Sequence, residues 1–237
     1  MSTNLINTPD SVEKRRLAFG VEDDFLSYSD GDLWTKLSAD GGSVGATSAA
    51  GGVLALVTGS TDNDEVAVAT TNEIFKIASG KTIEAQALVQ FTEANTDDAN
   101  VLVGLADAIG ANTLLDGGGG PKASYSGACF YKVDGGTKWV VESSIGGTQS
   151  TNTTNVTAGG SAYQHLRIQI VPVNSTEADV FFWIDGIQCR DSTTSDLIAH
   201  RITYTGATEM DFGVVVKAGG GNAETVNVDY LTCYQTR

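Results

Sequence analysis

Period-two alternation of apolar and polar residues is the clearest pattern along the chain. The stretch "TIEAQALVQF" (82–91) places an apolar residue at every second position from Ile83 to Phe91. "HLRIQIVPV" (165–173) and "ETVNVDYLTCYQTR" (224–237) repeat this spacing. Such alternation is typical of an antiparallel strand with one buried and one wet face. It predicts that three apolar side chains of the second segment point inward, namely Leu166, Ile168 and Ile170. In the third segment it predicts that four do so, namely Val226, Val228, Tyr230 and Tyr234.

Shorter apolar runs extend the β pattern over most of the chain. They are "VLALVT", "EIFKI", "VLVGLA", "ACFYKV", "KWVVES", "DVFFWI" and "DFGVVVK". Asp-Gly pairs in "VDGGTKW" (133–139) and "WIDGIQC" (183–189) lie between such runs and predict hairpins, because glycine accepts a positive φ. The pattern therefore predicts an all-β, antiparallel jelly-roll β-sandwich of roughly a dozen strands, with an extended N-terminal arm.

Three Gly/Ser/Thr/Asn-rich tracts separate these runs, at residues 38–52, 114–127 and 146–160. Their composition predicts loops. A short helix is predicted near Thr194–Ala199.

Residues 1–20 differ from the rest because they show no strand alternation. They contain Lys14, Arg15 and Arg16, the one basic triplet of the chain. "DSVEKRRLAF" is compatible with a short helix capped by Asp10 or Ser11, and equally with a frayed terminus. The sequence thus predicts an N-terminal arm over residues 1–20 and a sandwich domain over residues 21–237.

Charge and cysteine content narrow the function classes. The 237-residue chain has 14 basic and 29 acidic residues, a net charge of −15 that repels phosphate backbones and disfavours nucleic-acid binding. No apolar run approaches the ~20 residues of a membrane helix, and the polar start resembles no signal peptide.

Cys129, Cys189 and Cys233 are odd in number and widely spaced. They predict free thiols on or near buried strands, not a disulfide framework or a zinc site.

Three segments, residues 165–170, 180–186 and 228–235, resemble the concanavalin A-like lectin/glucanase sandwich, especially its laminarinase-like branch. In that family a strand of the type "w-h-x-y-r-I" precedes "v-x-f-y-v-D-G", and the last strand reads like "v-D-Y-v-r-v-y-q". Residues 80–107 are more weakly similar, and the likeness spans roughly residues 20 to 237. The resemblance implies the fold but not a single function, since the fold occurs in lectins, in hydrolases and in structural proteins without activity.

Retaining glycanases of this family carry three carboxylates, E-x-D-x-x-E or E-x-D-x-x-x-E, on one strand. Alternation brings them to one concave face, where nucleophile and acid/base lie ~5 Å apart. This chain offers only Glu142 in "WVVESSIGG" and only Glu84 in "TIEAQAL". His165 and His200 accompany no nucleophile motif. The sequence therefore predicts no catalytic residues, no enzyme activity and no cofactor.

Calcium is the one metal that the sequence raises, because many lectin-like sandwiches bind it through loop carboxylates. "TDNDE" (61–65) and "NTDDAN" (95–100) supply oxygen ligands, but neither has EF-hand spacing. Solvated acidic loops are the preferred interpretation, and no metal site is predicted.

Sugar binding without hydrolysis remains an alternative, since lectin-like sandwiches stack sugars on exposed aromatic rings. The aromatic candidates are Trp34, Tyr125, Trp139 and Trp183. Trp183, inside "VFFWID", is predicted to be a core residue. Trp139, beside a hairpin, and Tyr125 are the predicted glycan contacts.

The combination of a stable acidic sandwich, a basic arm and no catalytic constellation is similar to bacteriophage virion proteins. We therefore expect a non-enzymatic virion structural protein, namely a capsid decoration protein on the head surface, assembled in the host cytoplasm. Its expected partners are the major capsid protein or another virion protein, and further copies of itself, with a trimer favoured. The predicted docking residues are Lys14, Arg15, Arg16, Leu17 and Phe19. The alternatives are a carbohydrate-binding adhesion module, which would contact surface glycans, and a degenerate glycanase.

Overall fold

A computed structural model describes residues 17–38, 40–93 and 98–237. Its sixteen strands are β1 (Ala18–Asp23), β2 (Trp34–Ser38), β3 (Ser43–Ala46), β4 (Leu54–Val57), β5 (Glu65–Thr70), β6 (Ile83–Phe91), β7 (Ala99–Ala106), β8 (Gly127–Lys132), β9 (Lys138–Ile145), β10 (Thr148–Thr157), β11 (Gly160–Pro172), β12 (Glu177–Ile184), β13 (Ile187–Gln188), β14 (Ala199–Thr203), β15 (Asp211–Ala218) and β16 (Thr225–Thr236). No helix in the described ranges is long and apolar enough to cross a membrane.

The strands form two antiparallel sheets that pack face to face. Sheet A has nine strands in the order β13-β12-β11-β6-β16-β4-β3, with β1 beside β16 and β14 beside β12. Sheet B has seven strands in the order β10-β9-β8-β7-β15-β5-β2. The predicted all-β antiparallel sandwich is confirmed.

Aromatic side chains fill the core between the sheets. Trp139 of sheet B is fully buried and meets Phe91 of sheet A edge-on, with ring centroids 5.8 Å apart. Phe130 continues the contact to Phe182 at 5.5 Å. Edge-to-face pairs add stability beyond the area they bury. The three cysteines are buried free thiols, as predicted.

Burial along the strands differs between the sheets. β6 alternates strictly between buried and half-buried residues, as its sequence predicts. In contrast, all eight residues of β7 and all eight of β15 are buried. A strand buried on both faces needs cover on its outer side as well as on its core side. Sheet B is therefore covered on both faces along its centre.

The Asp-Gly hairpins form where the sequence predicts them. Asp185 and Gly186 take φ values of 52° and 76° between β12 and β13, which is the geometry of a two-residue hairpin turn. Gly135, with φ 71°, lies in the turn that joins β8 to β9. In that turn the amide of Gly136 donates to the Val133 carbonyl at 2.9 Å.

Two of the three tracts predicted as loops contain edge strands. Residues 148–157 form β10, which pairs with β9, and residues 43–46 form β3, which pairs with β4. An edge strand needs only one partner, and the threonines of β10 are β-branched and suit extended backbone. The predicted helix near residues 194–199 is also wrong. Asp191 accepts the amides of Thr193 and Thr194 in a tight turn instead, and β14 begins at Ala199.

A bulge in β16 overturns part of the predicted inward face. Its register against β6 shifts between Val228 and Tyr230. Because one extra residue reverses the alternation, Leu231 and Cys233 become the buried positions. Tyr230 and Tyr234, predicted to point inward, lie on the outer face of sheet A.

The sandwich begins before residue 21. Residues 18–20, assigned above to the arm, form the first half of β1 and pair with residues 234–236. Leu17 accepts a hydrogen bond from the Arg237 amide at 2.8 Å.

Candidate functional site

The outer face of sheet B is covered by the segment 107–126, which we call the roof. Side chains of β5, β7, β8 and β15 point outward into a second hydrophobic cluster, separate from the main core. The buried members contributed by these strands are Ala67, Ala69, Leu102, Ala106, Cys129 and Val215. The roof contributes Ile109, Leu114 and Tyr125 to the same cluster. The tract at 114–127 is therefore a loop, as predicted, but its Leu114 and Tyr125 side chains are buried.

Polar contacts close the roof and fix it to the sheet. Lys122 Nζ donates to the Asp107 carbonyl at 2.7 Å and so joins the two ends of the roof. Nearer its middle, the Asn112 amide donates to Glu65 Oε2 at 2.9 Å, and Lys217 Nζ donates to Leu114 O at 2.8 Å. Burial raises the pKa of Glu65, while the Asn112 amide and the Lys217 ammonium act in the opposite direction. The roof is thus attached by charged as well as apolar contacts.

Glu142 lies on β9 where the roof meets the sheet, and it is only 5% exposed. Its Oε1 accepts from the Tyr125 hydroxyl at 3.0 Å and from Gln149 Nε2 at 2.8 Å. Its Oε2 accepts from Thr151 Oγ1 at 2.6 Å. The outward positions of β9 are Lys138, Val140, Glu142 and Ser144, so the strand offers no second carboxylate on this face.

The other ionisable groups around Glu142 favour their protonated forms. Burial raises the pKa of Tyr125 well above its ordinary value, and the neighbouring Cys129 and Glu142 raise it further. Burial likewise raises the pKa of the Cys129 thiol and of the half-buried Tyr131. A thiol or phenol held in its neutral form is a poor nucleophile or base. The cluster has the character of a structural hydrogen-bond network.

A second polar network joins the two sheets, and the sequence did not reveal it. Ser143 Oγ lies 2.8 Å from His200 Nδ1, and His200 Nε2 lies 3.0 Å from Asn152 Oδ1. Asn152 in turn donates to Asp191 at 2.8 Å. Burial lowers the pKa of His200 to about 4. The order of groups is similar to a catalytic relay, but Ser143 is fully buried and faces the core. It is therefore not accessible to a substrate.

The prediction that Trp139 and Tyr125 contact a glycan is wrong. Trp139 has no exposed surface, and its indole N–H donates to Gln164 Oε1 at 2.9 Å. Tyr125 is 2% exposed, because the roof carries it against the sheet. Trp34 is also buried, with its indole N–H on Asp23. A sugar cannot stack on any of these rings.

Trp183, predicted as core, instead lies on the outer face of sheet A. Within β12 it alternates with the buried Phe182 and Ile184, so the parity of the strand turns it outward. Arg167 lies over its ring, 4.4 Å from the centroid, and donates to Glu84 Oε2 at 3.0 Å. We call this surface of β6, β11, β12 and β16 the open face. Its other aromatic residues are Phe181, His165, Tyr230 and Tyr234.

Searches of known structures identify the fold. A protein of unknown function from Shewanella oneidensis MR-1 is similar over 100% of this chain and 97% of its own, with a TM-score of 0.59 and 14% identity. The metal-free carbohydrate recognition domain of Emp46p matches 91% of this chain and 95% of its own (TM-score 0.59, 12% identity). An endo-1,3-beta-glucanase from Streptomyces sioyaensis matches 92% and 96% (TM-score 0.56, 14% identity).

The fold is a concanavalin A-like sandwich. The resemblance noted in the sequence is therefore confirmed for architecture. Identities of this size establish the fold alone. Neither a protein-family model nor a curated protein sequence matches the chain.

The predicted arm residues lie only partly within the described ranges. Lys14, Arg15 and Arg16 lie outside the described residues. Leu17 is 65% exposed. Phe19 belongs to β1 and stacks on Phe75, with ring centroids 6.0 Å apart. A docking role for Leu17 and the basic triplet stays a prediction, whereas Phe19 already packs against its own sandwich.

The calcium candidate at residues 61–65 does not show the geometry of a metal site. In the segment 61–65, Asp64 Oδ2 accepts the Thr61 amide at 2.9 Å, and Glu65 contacts Lys217 at 3.2 Å. Within the described ranges, no group of three or more His, Cys, Asp or Glu side chains is arranged to hold a metal ion. Residues 94–97 of the second candidate lie outside those ranges.

Proposed function

We propose that the protein is a non-enzymatic structural protein of a bacteriophage virion, a capsid decoration protein on the head surface. The observation that carries the non-enzymatic part is the roof. It fills the outer face of sheet B and leaves Glu142 as a buried carboxylate with neutral donors on both oxygens. Glycoside hydrolysis by retention needs a second carboxylate ~5 Å from the first, with a sugar between them.

The virion part of the proposal rests on the character of the whole chain. A net charge of −15 keeps the sandwich soluble and repels nucleic acid. The basic triplet at residues 14–16 immediately precedes the point where β1 joins sheet A. A basic arm on an acidic body suits docking on an acidic patch of a capsid protein, with avidity from further copies in a symmetric lattice.

Particle binding tests this proposal. Phage particles assembled without this protein are mixed with the purified intact chain or with one of two variants. The first variant lacks residues 1–16, and the second is the triple variant Lys14→Ala, Arg15→Ala, Arg16→Ala. We expect the intact chain to bind in stoichiometric amounts, the truncation to bind orders of magnitude more weakly, and the triple variant to lose part of its salt dependence. Failure of the intact chain to bind contradicts the proposal. Deletion through residue 20 is unsuitable because it removes half of β1.

An activity assay tests the non-enzymatic part separately. We expect no release of reducing sugar from laminarin, agar or related β-glucans. Activity that disappears in Glu142→Gln, but persists in Glu84→Gln on the open face, would establish a glycanase instead.

Glycan binding is the second candidate, and the open face now favours it. Trp183, Arg167 and Glu84 form a row of planar groups on the outer side of sheet A, with Phe181 beside Trp183. Aromatic rings next to fixed polar groups suit the apolar face and hydroxyls of a sugar. A glycan array tests this candidate with the wild type, with Trp183→Ala and with the control Tyr28→Ala, which removes an aromatic ring in the loop between β1 and β2. Binding lost only in Trp183→Ala supports it, and absence of wild-type binding removes it.

A further inference from the structure

Lys217 lies on the outer side of β15 beneath the roof, and its side chain is 1% exposed. Four oxygen atoms surround its Nζ: Asp116 Oδ1 at 2.6 Å, Leu114 O at 2.8 Å, Asn112 Oδ1 at 3.1 Å and Glu65 Oε2 at 3.2 Å. An ammonium has only three protons to donate, so four close oxygens form a cage that suits a spherical cation as well as it suits a lysine.

The cage joins two parts of the fold that are far apart in sequence. Glu65 begins β5, whereas Asn112, Leu114 and Asp116 belong to the roof. A carbonyl, an amide oxygen and two carboxylates are the donor set that binds hard cations in proteins. Glu65 closes the cage from the buried side, whereas the Asp116 side chain is 65% exposed and closes it from the solvent side. Without a positive charge between them, these two carboxylates would repel each other.

Glu65 supplies a second, independent observation. Its Oε1 is buried and has no hydrogen-bond partner, and the residue is 4% exposed. A buried carboxylate oxygen without a donor is costly. A small rotation of this carboxylate group would bring Oε1 onto a cation at the Nζ position.

We propose that Lys217 is a built-in cation: its ammonium fills a cation-binding cage and locks the roof without a dissolved metal ion. The cage becomes a true ion site when the side chain is shortened. This inference concerns the roof alone and does not depend on the virion proposal.

Rescue of Lys217→Ala by small cations tests the proposal. Breaking this buried ion pair should lower the Tm by about 6–20 °C. Potassium, ammonium or propylammonium, which has the three carbons and the nitrogen that alanine lacks, should then raise the Tm by about 3–6 °C at a tenfold excess over its Kd. Tetramethylammonium at equal ionic strength should not, because it is too large for the cage.

Lys132→Ala is the matched control. Lys132 is also fully buried, but its ammonium has two described oxygen partners, Glu93 Oε2 at 2.7 Å and Ala99 O at 2.9 Å. We expect it to lose stability without a specific response to small cations. If Lys217→Ala responds to all these salts equally, or to none, the proposal is wrong.

The wild-type protein gives a test that does not require the variant to fold. Amide exchange across residues 112–119 should be the same in potassium chloride, in calcium chloride and in tetramethylammonium chloride with a chelator. Faster exchange after removal of the small cations would show that the roof uses a dissolved ion, and would overturn the proposal.

Discussion

The outer faces of the two sheets differ in what covers them. The open face of sheet A presents alternating polar and aromatic side chains to solvent, held by cross-strand contacts such as Arg167 with Glu84. The outer face of sheet B is mostly apolar along its central strands, and there it is buried beneath a twenty-residue roof that has no strands of its own. The outer side of sheet A is therefore in contact with solvent, whereas the roof forms a third layer over the centre of sheet B.

The strand sequences encode this difference. β6, β11 and β12 alternate, so one of their faces tolerates water. β7 and β15, "ANVLVGLA" and "DFGVVVKA", are apolar or small at nearly every position and require cover on both sides. The comparison teaches that continuous apolar strands in an otherwise alternating sandwich indicate a covering segment elsewhere in the chain.

The largest expected difference in stability is between alanine variants of two tryptophans, one in the core and one on the open face. Trp139→Ala removes a fully buried ring between Phe91 and Phe130 and should lower the free energy of unfolding by about 3–5 kcal/mol. Trp183→Ala on the open face removes a solvent-facing ring and its cation–π contact, and should cost about 1 kcal/mol. Urea unfolding of both variants measures the difference. Equal losses would mean that the open face is covered as well.

The next largest difference in stability is expected between alanine variants of two leucines on the outer faces of the sheets. Leu114 of the roof has no exposed surface, and Leu114→Ala should cost about 2–4 kcal/mol because a cavity forms above sheet B. Leu88 on the open face is half-buried, and Leu88→Ala should cost about 1 kcal/mol or less. Should Leu114→Ala prove as mild as Leu88→Ala, the roof does not bury its side chains as described.

A smaller effect should appear as a pH dependence of stability beneath the roof. Burial, with a smaller contribution from the negative charge of Glu73, raises the pKa of Asp211 to about 6 from an ordinary 3.8. The folded state then holds the proton more tightly, so this contribution to stability is complete below pH 3.8 and is lost as the pH rises through 6. Asp211→Asn should therefore be more stable than the wild type at pH 7, by about 1–3 kcal/mol.

The wild type alone cannot reveal this effect, because His200 acts in the same pH range with the opposite sign. Its folded pKa of about 4 lies below the ordinary 6.5, so it destabilises the protein as the pH falls between these values. The difference between wild type and Asp211→Asn cancels the His200 contribution. A difference that does not change between pH 4 and pH 7 would mean that Asp211 has an ordinary pKa.

Local alternation of apolar and polar residues was sufficient to predict the sheets, but it did not predict which outer faces are covered. The inward faces of β6 and β11 and the Asp-Gly hairpins follow from spacing alone, because each depends on neighbours in sequence. The exposure of Trp183 and Trp139 was predicted in reverse. A hairpin position suggested surface for Trp139, and an apolar run suggested core for Trp183, whereas strand parity decides both.

The residues of the candidate site could not be predicted because they meet through long-range packing. Glu65, Asp116 and Lys217 belong to separate segments, and only the closure of the roof over sheet B brings them together. The bulge that turns Tyr230 outward is equally invisible in the sequence, since it depends on the register of β16 against β6. The one available signal was Lys217 itself, a charged residue at the end of a continuous apolar strand.

Hydrogen exchange of the roof tests the central claim most directly, since the proposal that the protein is not an enzyme depends on a closed face. The amides of Thr113, Leu115 and Lys122 donate to carbonyls within the roof. We expect them to exchange nearly as slowly as β7 and β15, and far more slowly than the exposed residues 47–51. Exchange of the roof as fast as that of residues 47–51 would show an open groove above Glu142, and would contradict the account.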